Sequence, residues 1–221
     1  ISDYLFVTEK SGLDNLKNEG VSDDKVFFVG NVMIDSLFYY LPKSDKSNIH
    51  IELGVEKGSY VLITLHRPSN VDTKESLEKL VHFLNVLSEQ RQVVFPIHPR
   101  TKNNLGKFEL LKTLSKNIIL TDPIGYVDFQ ALTKNAELVV TDSGGIQEET
   151  TSLGVQCITL RTSTERPSTV DIGTNQLIGL DLEMAETACL DVLNGNKKAG
   201  TIPELWDGKA AERIVGILLL T

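Results

Sequence analysis

Six apolar runs of strand length recur between Tyr60 and Leu180, and helical patterns lie between nearly all of them. The runs are Tyr60–Leu65, Val93–Ile97, Asn117–Leu120, Leu138–Val140, Val155–Leu160 and Gln176–Leu180. Thr73 to Ser88 carries Leu77, Leu80, Val81, Leu84 and Leu87 on one helical stripe, and Leu105 to Leu114 behaves likewise. Parallel strands need long crossovers, so this alternation predicts a parallel sheet with helices as the connections. Runs so continuously apolar belong where both sheet faces are covered. The expected fold class is therefore α/β, a doubly wound, Rossmann-like parallel sheet over residues 55–205.

Residues 1–54 break that rhythm. They read as a strand at Tyr4–Val7, a polar helix over Glu9–Glu19, a strand at Val26–Val29 and an apolar helical segment over Val32–Leu41, with Pro42–Ser47 as a linker. This short N-terminal appendage reads as the tail of another domain. Residues 206–221 hold a last helix, from about Lys209 to Leu219, whose Ile217-Leu218-Leu219-Leu220 end calls for apolar cover. The opening Ile1-Ser2-Asp3, without Met, reads as a processed product or a fragment.

A chain of 221 residues is long enough for one good core, or one α/β domain with an appendage. Its net charge of −8 argues against nucleic acid or an anionic membrane as the main partner, so an anionic ligand must be held locally. Two isolated cysteines, Cys157 and Cys189, fit a reducing cytoplasm without a disulfide framework. No metal-ligand spacing, membrane-length apolar run or secretion leader is present in these residues.

At Thr141-Asp142-Ser143-Gly144-Gly145-Ile146-Gln147-Glu148-Glu149 an apolar strand runs through a small-residue turn into a helix start. Free N–H groups, a Ser143 hydroxyl and the helix dipole favour an anion there, and Gly144 and Gly145 let its atoms come close. Helix-end electrostatics contribute only about 0.3–1 kcal/mol, so a phosphate site also needs cations. The other strand ends supply them: His66-Arg67, His98-Pro99-Arg100, Arg161 and Thr164-Glu165-Arg166-Pro167. Four of the six arginines fall just past strands, whereas the lysines do not concentrate there. Arginine forks suit phosphate oxygens, and hydrogen bonds to charged groups contribute roughly 1.5–3 kcal/mol each.

In a sheet of order 3-2-1-4-5-6 the ligand crevice lies between the first and fourth strands, which brings His66 beside Ser143. His66 can donate to phosphate or act as acid or base, and Glu149 can accept from a ribose diol. Together these residues describe a nucleotide diphosphate site. Plainer roles stand beside these: Ser-Gly-Gly as a tight turn, Asp142 as a helix cap, Glu148 as a dipole-favoured acid, Arg100 as a bridge to an acidic loop, and His98 as a structural loop residue. His50 and His82 read as solvated or structural.

The chain resembles the carboxyl-terminal half of a non-phosphorylating, hydrolysing-type UDP-N-acetylglucosamine 2-epimerase. The matching residues are His66-Arg67 through Asn70, His98-Pro99, Asp142 to Glu149, Thr164 to Pro167, Thr8-Glu9 and Gly30 to Asp35. The resemblance implies one half of a glycosyltransferase-B architecture that binds UDP-N-acetylglucosamine and UDP without a cofactor or metal. It implies uracil near Phe129, ribose on Glu149, diphosphate on Ser143, Gly144, Gly145 and Arg166, substrate contacts from Arg67 and His98, and His66 as the catalytic group. The implied reaction interconverts UDP-N-acetylglucosamine and UDP-N-acetylmannosamine by eliminating UDP and adding it back, in cell-surface polysaccharide synthesis.

Ser69 and Ser168 depart from the acidic residues usual in the family at those places. The family's acid/base carboxylates lie chiefly in an amino-terminal domain outside this sequence. That domain is the expected partner, in cis or in trans, and the chain alone is expected to bind UDP without turnover; a homodimer stays open. Two other activities remain in view: a UDP-sugar glycosyltransferase or an epimerase releasing free N-acetylmannosamine, and a non-catalytic sugar-nucleotide-binding module.

Overall fold

A computed structural model describes residues 2–220. The chain opens with β1 (Leu5–Val7), α1 (Lys10–Asn18), β2 (Val26–Phe28), α2 (Val32–Ser44) and α3 (Ile49–Glu52). It continues with β3 (Tyr60–Thr64), α4 (Pro68–Val71), α5 (Lys74–Gln90), β4 (Gln92–Pro96), α6 (Pro99–Lys107), β5 (Ile118–Thr121) and α7 (Tyr126–Asn135). The last part comprises β6 (Leu138–Thr141), α8 (Gly144–Leu153), β7 (Gln156–Thr159), α9 (Pro167–Asp171), β8 (Asn175–Leu177), α10 (Leu182–Leu193) and α11 (Ala210–Leu220).

Six strands form one parallel sheet in the order β5-β4-β3-β6-β7-β8, which is the 3-2-1-4-5-6 order expected of the doubly wound class. Alternate residues of its central strands face opposite layers. Val61, Ile63, Val93, Phe95 and Val140 pack with Leu77, Leu80 and Leu84 of α5 and with Cys189 of α10. Tyr60, Leu62, Val94 and Val139 pack on the other face with Leu132 of α7 and Val155. Each fully buried aliphatic side chain stabilises by roughly 1.5–3 kcal/mol, so the two layers carry most of the fold. α5 is capped by Thr73, whose hydroxyl accepts from the Ser76 N–H at 3.1 Å.

β1 and β2 pair in parallel as a separate two-stranded sheet, with α1 as their crossover. This unit is tied to the rest by Trp206, which is buried with Ile34 and Leu37 of α2 and whose indole N–H donates to the Thr8 carbonyl at 2.9 Å. The N-terminus of α11 is capped from α2: the Asp35 carboxylate accepts from the N–H groups of Ala210 at 3.0 Å and Ala211 at 2.6 Å. Beyond that cap α11 exposes Val215, Leu219 and Leu220. Among the described residues no helix is long and apolar enough to cross a membrane.

Two expectations are corrected. The Pro42–Ser47 stretch is no free linker: α2 continues through Pro42 to a buried Ser44, and Asp45 and Ser47 are held by Lys134 at 2.5 Å and Asp128 at 2.6 Å, both on α7. Pro42 lies in the last turn, where its missing N–H forfeits one bond to the carbonyl four residues back, and the contacts with α7 offset that loss. The Leu105–Leu114 stripe is two pieces. α6 begins earlier, at Pro99, and ends at Lys107; Glu109 takes a left-handed φ of 60°, and a short 3₁₀ turn follows over Leu110–Thr113. Leu105, Leu110, Leu111 and Leu114 still pack into one layer, so the periodicity reported a shared face and not one helix.

Candidate functional site

The order of the large sheet reverses between β3 and β6, and the polar cluster forms at their carboxyl ends. Register pairs Thr64 with Thr141, so the chain leaving β3 at His66 passes beside Asp142. Asp142 is fully buried. Its carboxylate accepts from the His66 N–H at 3.0 Å, the Arg67 N–H at 2.8 Å and Asn70 Nδ2 at 2.9 Å, and lies 3.0 Å from His66 Nδ1. The Asp142 carbonyl accepts from Arg67 Nε at 3.0 Å. Asp142 is therefore not the helix cap; Ser143 occupies the cap position of α8, and the carboxylate turns across to the β3 exit, where unpaired N–H groups await it.

Burial works to raise Asp142, but the hydrogen bonds from His66, Arg67 and Asn70 outweigh it and hold its pKa below the ordinary carboxylate value. The hydrogen bond to Asp142 raises His66 above the ordinary histidine value, against burial and the Arg67 charge. His66 is about half exposed, and its ring centroid lies 6.3 Å from that of His98. His98 itself caps α6 through Nδ1, which accepts from the Arg100 N–H at 3.2 Å. Both rings line a cleft of about 190 Å³ whose other walls include Pro96, Pro123, Ile124 and Phe129.

On the β6 side, Ser143, Gly144 and Gly145 open α8 below the guanidinium of Arg166. A Cβ on Gly144 would stand 3.0 Å from Arg166 Cζ, so any side chain there would push the guanidinium aside by a few tenths of an ångström. Arg166 Nε is 3.1 Å from Glu148 Oε1, and the same oxygen accepts from Asn31 Nδ2 at 2.9 Å. Glu148 is thus more than a dipole-favoured acid: it is a buried anchor that joins Arg166 to the start of α2. Burial raises its pKa, opposed by the Arg166 charge and by the Asn31 hydrogen bond.

Glu149, one residue on, is also buried, and that burial raises its pKa to about 7 against the hydrogen bond from Tyr126. The Tyr126 hydroxyl donates to Glu149 Oε1 at 3.2 Å, while Oε2 is buried with no hydrogen-bond partner among the described residues. A buried lone acceptor of this kind costs about 1–3 kcal/mol, which a ligand hydroxyl would offset.

Of the four arginines past strand ends, Arg67 and Arg166 stand beside the switch point. Arg100 pairs with Asp72, as its bridging alternative expected, and the nearly buried Arg161 pairs with Glu165 at 2.8 Å. Asn31, Asn70 and Tyr126 were given no role from the sequence. Tyr126 sits one helical turn before Phe129, and that spacing was the available signal. A larger hollow of about 550 Å³ lies between α5 and α10, lined by Glu78, His82, Asp181, Glu183 and Glu186. No strand-end arginine lines it, so chemistry and not size selects the β3/β6 end. No group of three or more potential ligands suited to a metal ion occurs among the described residues.

Comparison with known proteins places these features in a family. The family model described as UDP-N-acetylglucosamine 2-epimerase matches residues 1–219. The chain is 42% identical over 225 residues to the UDP-N-acetylglucosamine 2-epimerase of Methanocaldococcus jannaschii, covering 99% of this chain and 61% of that protein. It is 40% identical to the enzyme of the same name from Methanococcus maripaludis, with the same two coverages. The crystal structure of the Methanocaldococcus jannaschii enzyme in complex with UDP-GlcNAc and UDP superposes with a TM-score of 0.86 at 41% identity, over 100% of this chain and 62% of that one. A Neisseria meningitidis UDP-GlcNAc 2-epimerase bound to UDP-GlcNAc superposes at 0.84 with 27% identity, over 100% of this chain and 62% of that one. The chain thus spans about three fifths of the length of the curated relatives it matches.

Proposed function

This chain belongs to the UDP-N-acetylglucosamine 2-epimerase family, and from that premise we propose that it is the UDP-binding, carboxyl-terminal part of an enzyme interconverting UDP-N-acetylglucosamine and UDP-N-acetylmannosamine. The observation that carries this is a convergence at one switch point: Arg166 over Gly144, the unpartnered Oε2 of Glu149, and His66 seated on Asp142.

In this assignment the diphosphate lies on the α8 amino terminus between Ser143, Gly144, Gly145 and Arg166. Ribose hydroxyls donate to Glu149, and uracil enters the cleft beside Phe129, with His98 and Arg67 at its margin. The proton on C2 of the sugar is barely acidic, so departure of UDP must lead the reaction. Charge that develops on the leaving diphosphate is stabilised by donors already in place: helix N–H groups, the Arg166 guanidinium and a protonated His66. Loss of the C2 proton with UDP leaves a C1–C2 double bond; UDP then returns to C1 on the face it left, and a proton delivered to the opposite face of C2 completes the inversion.

The acid and base at the sugar are assigned to a further part of the enzyme, in cis or in trans. The lone β1–α1–β2 unit supports this, because a two-stranded parallel sheet lacks the cover such sheets need. A cytoplasmic setting fits the two unpaired cysteines and the nucleotide-sugar substrate.

Proton NMR of UDP-N-acetylglucosamine with this chain in deuterated water tests the assignment. Broadened uridine lines with an intact C2 proton are expected. Unbroadened lines at millimolar ligand would overturn nucleotide binding, and loss of the C2 proton would show that these residues alone complete the active site.

A further inference from the structure

We propose that Asp142 is a positioning residue for His66: it keeps the imidazole proton on Nδ1 and so turns Nε2 to the ligand cleft as the atom that exchanges a proton with the leaving diphosphate. The inference rests on the assignment of the β3/β6 end as the diphosphate site.

Every neighbour that Asp142 meets through its carboxylate is a donor: the main-chain N–H groups of His66 and Arg67, the Asn70 amide and the His66 ring. An acceptor surrounded in this way stays ionised, and the ring nitrogen facing it at 3.0 Å must carry the hydrogen. The tautomer is therefore set by the protein. Nε2, across the ring, falls on the open side, where His66 lines the cleft with His98 and Phe129. Three charged or titratable groups face the ring: Asp142 favours its cation, Arg67 opposes it, and His98 stands 6.3 Å away between ring centroids. The balance raises the ring above the ordinary histidine value, and in the cation Nε2–H is a donor to an oxyanion. After transfer the same atom is an acceptor, and Asp142 prevents the proton on Nδ1 from moving to it.

A purely structural Asp142, holding the 66–70 turn through main-chain bonds, would need none of this. The two roles separate in the ring nitrogens. Long-range ¹H–¹⁵N spectra of the chain, with the His66 signals assigned by their loss in His66→Gln, report tautomer and titration directly. The expected result is a neutral form protonated on Nδ1, a midpoint above that of ordinary histidine, and a UDP-induced shift at Nε2. In Asp142→Asn the Nδ1–H form should lose its dominance and the midpoint should fall. Asn70→Ala, which removes one donor but keeps the carboxylate beside the ring, should preserve both.

A wild-type His66 found mainly as the Nε2–H tautomer overturns the proposal even if Asp142→Asn does not fold. So does a folded Asp142→Asn chain with unchanged tautomer and midpoint, or UDP binding that moves neither ring nitrogen. Uridine line broadening, read in the same samples, is independent: its absence with the expected tautomer would remove the nucleotide assignment and leave the Asp142–His66 pairing standing.

Discussion

In the six-stranded sheet, β3 and β6 have a strand on each edge and helices on both faces, and Tyr60, Val61, Leu62 and Ile63 are all completely buried. In the two-stranded sheet, β1 and β2 pair with each other, and Tyr4, Phe6 and Phe27 cluster at 6.0–6.4 Å while remaining only half-buried. Both regions are built from parallel strands and a crossover helix. What separates them is cover: the first closes its own core, and the second presents aromatic surface and open strand edges. The functional groups follow this division. The groups proposed for phosphate and ribose stand on the closed region, while Asn31, from the segment after β2, reaches in to hold Glu148.

The largest effect that would break the contrast is on stability. Leu62→Ala should destabilise the chain by about 2–5 kcal/mol in urea unfolding, and Phe27→Ala by less than about 1.5 kcal/mol, since a half-exposed ring has little burial to lose. Equal losses would mean that the small sheet belongs to the same cooperative core.

A smaller effect sharpens where the nucleotide binds. In the proposed assignment ribose hydroxyls donate to the ionised form of Glu149, whose pKa in the free protein is raised to about 7. Binding therefore releases a proton: affinity is full above pH 7 and declines below it. UDP affinity measured by calorimetry should fall about tenfold, or about 1.4 kcal/mol, from pH 8 to pH 6 beyond the change in Glu149→Gln, which removes the contribution of UDP's own titration. Phe27→Ala should leave that difference untouched. If it does not, the site extends into the two-stranded region.

The smallest effect concerns the joint. Trp206→Phe keeps an aromatic ring but loses the bond to the Thr8 carbonyl, worth about 0.5–1.5 kcal/mol. Amide hydrogen exchange should quicken in β1 and β2 and stay unchanged in β3 and β6. Uniform quickening would show that the two regions open as one.

Much of the closed region was legible in the sequence because its signals are local. A strand buried on both faces reads as an unbroken apolar run, and the order of runs and helices leaves few topologies for a right-handed parallel sheet. Ser143, Gly144 and His66 stand out in the sequence because they follow such runs directly, and the structure brings them to the same end of the sheet. For Asp142 the sequence offers a helix cap as the plainer role, because its actual partners, His66, Arg67 and Asn70, lie more than 70 residues away in sequence. Glu148 joins Asn31 across 117 residues, a pairing that no window of the sequence contains. The Pro42 helix shows the converse error: a strong local breaker was overridden by the contacts of its neighbours with α7.

The buried indole at the joint has an optical consequence. Trp206 is the chain's single tryptophan, 2% exposed and fixed between α2 and the Thr8 carbonyl. Its emission is therefore an unlabelled, single-site signal from the junction of the closed and the open region. Any rearrangement of this joint alters the surroundings of that one fluorophore, so it is followed by colour and intensity without adding a dye.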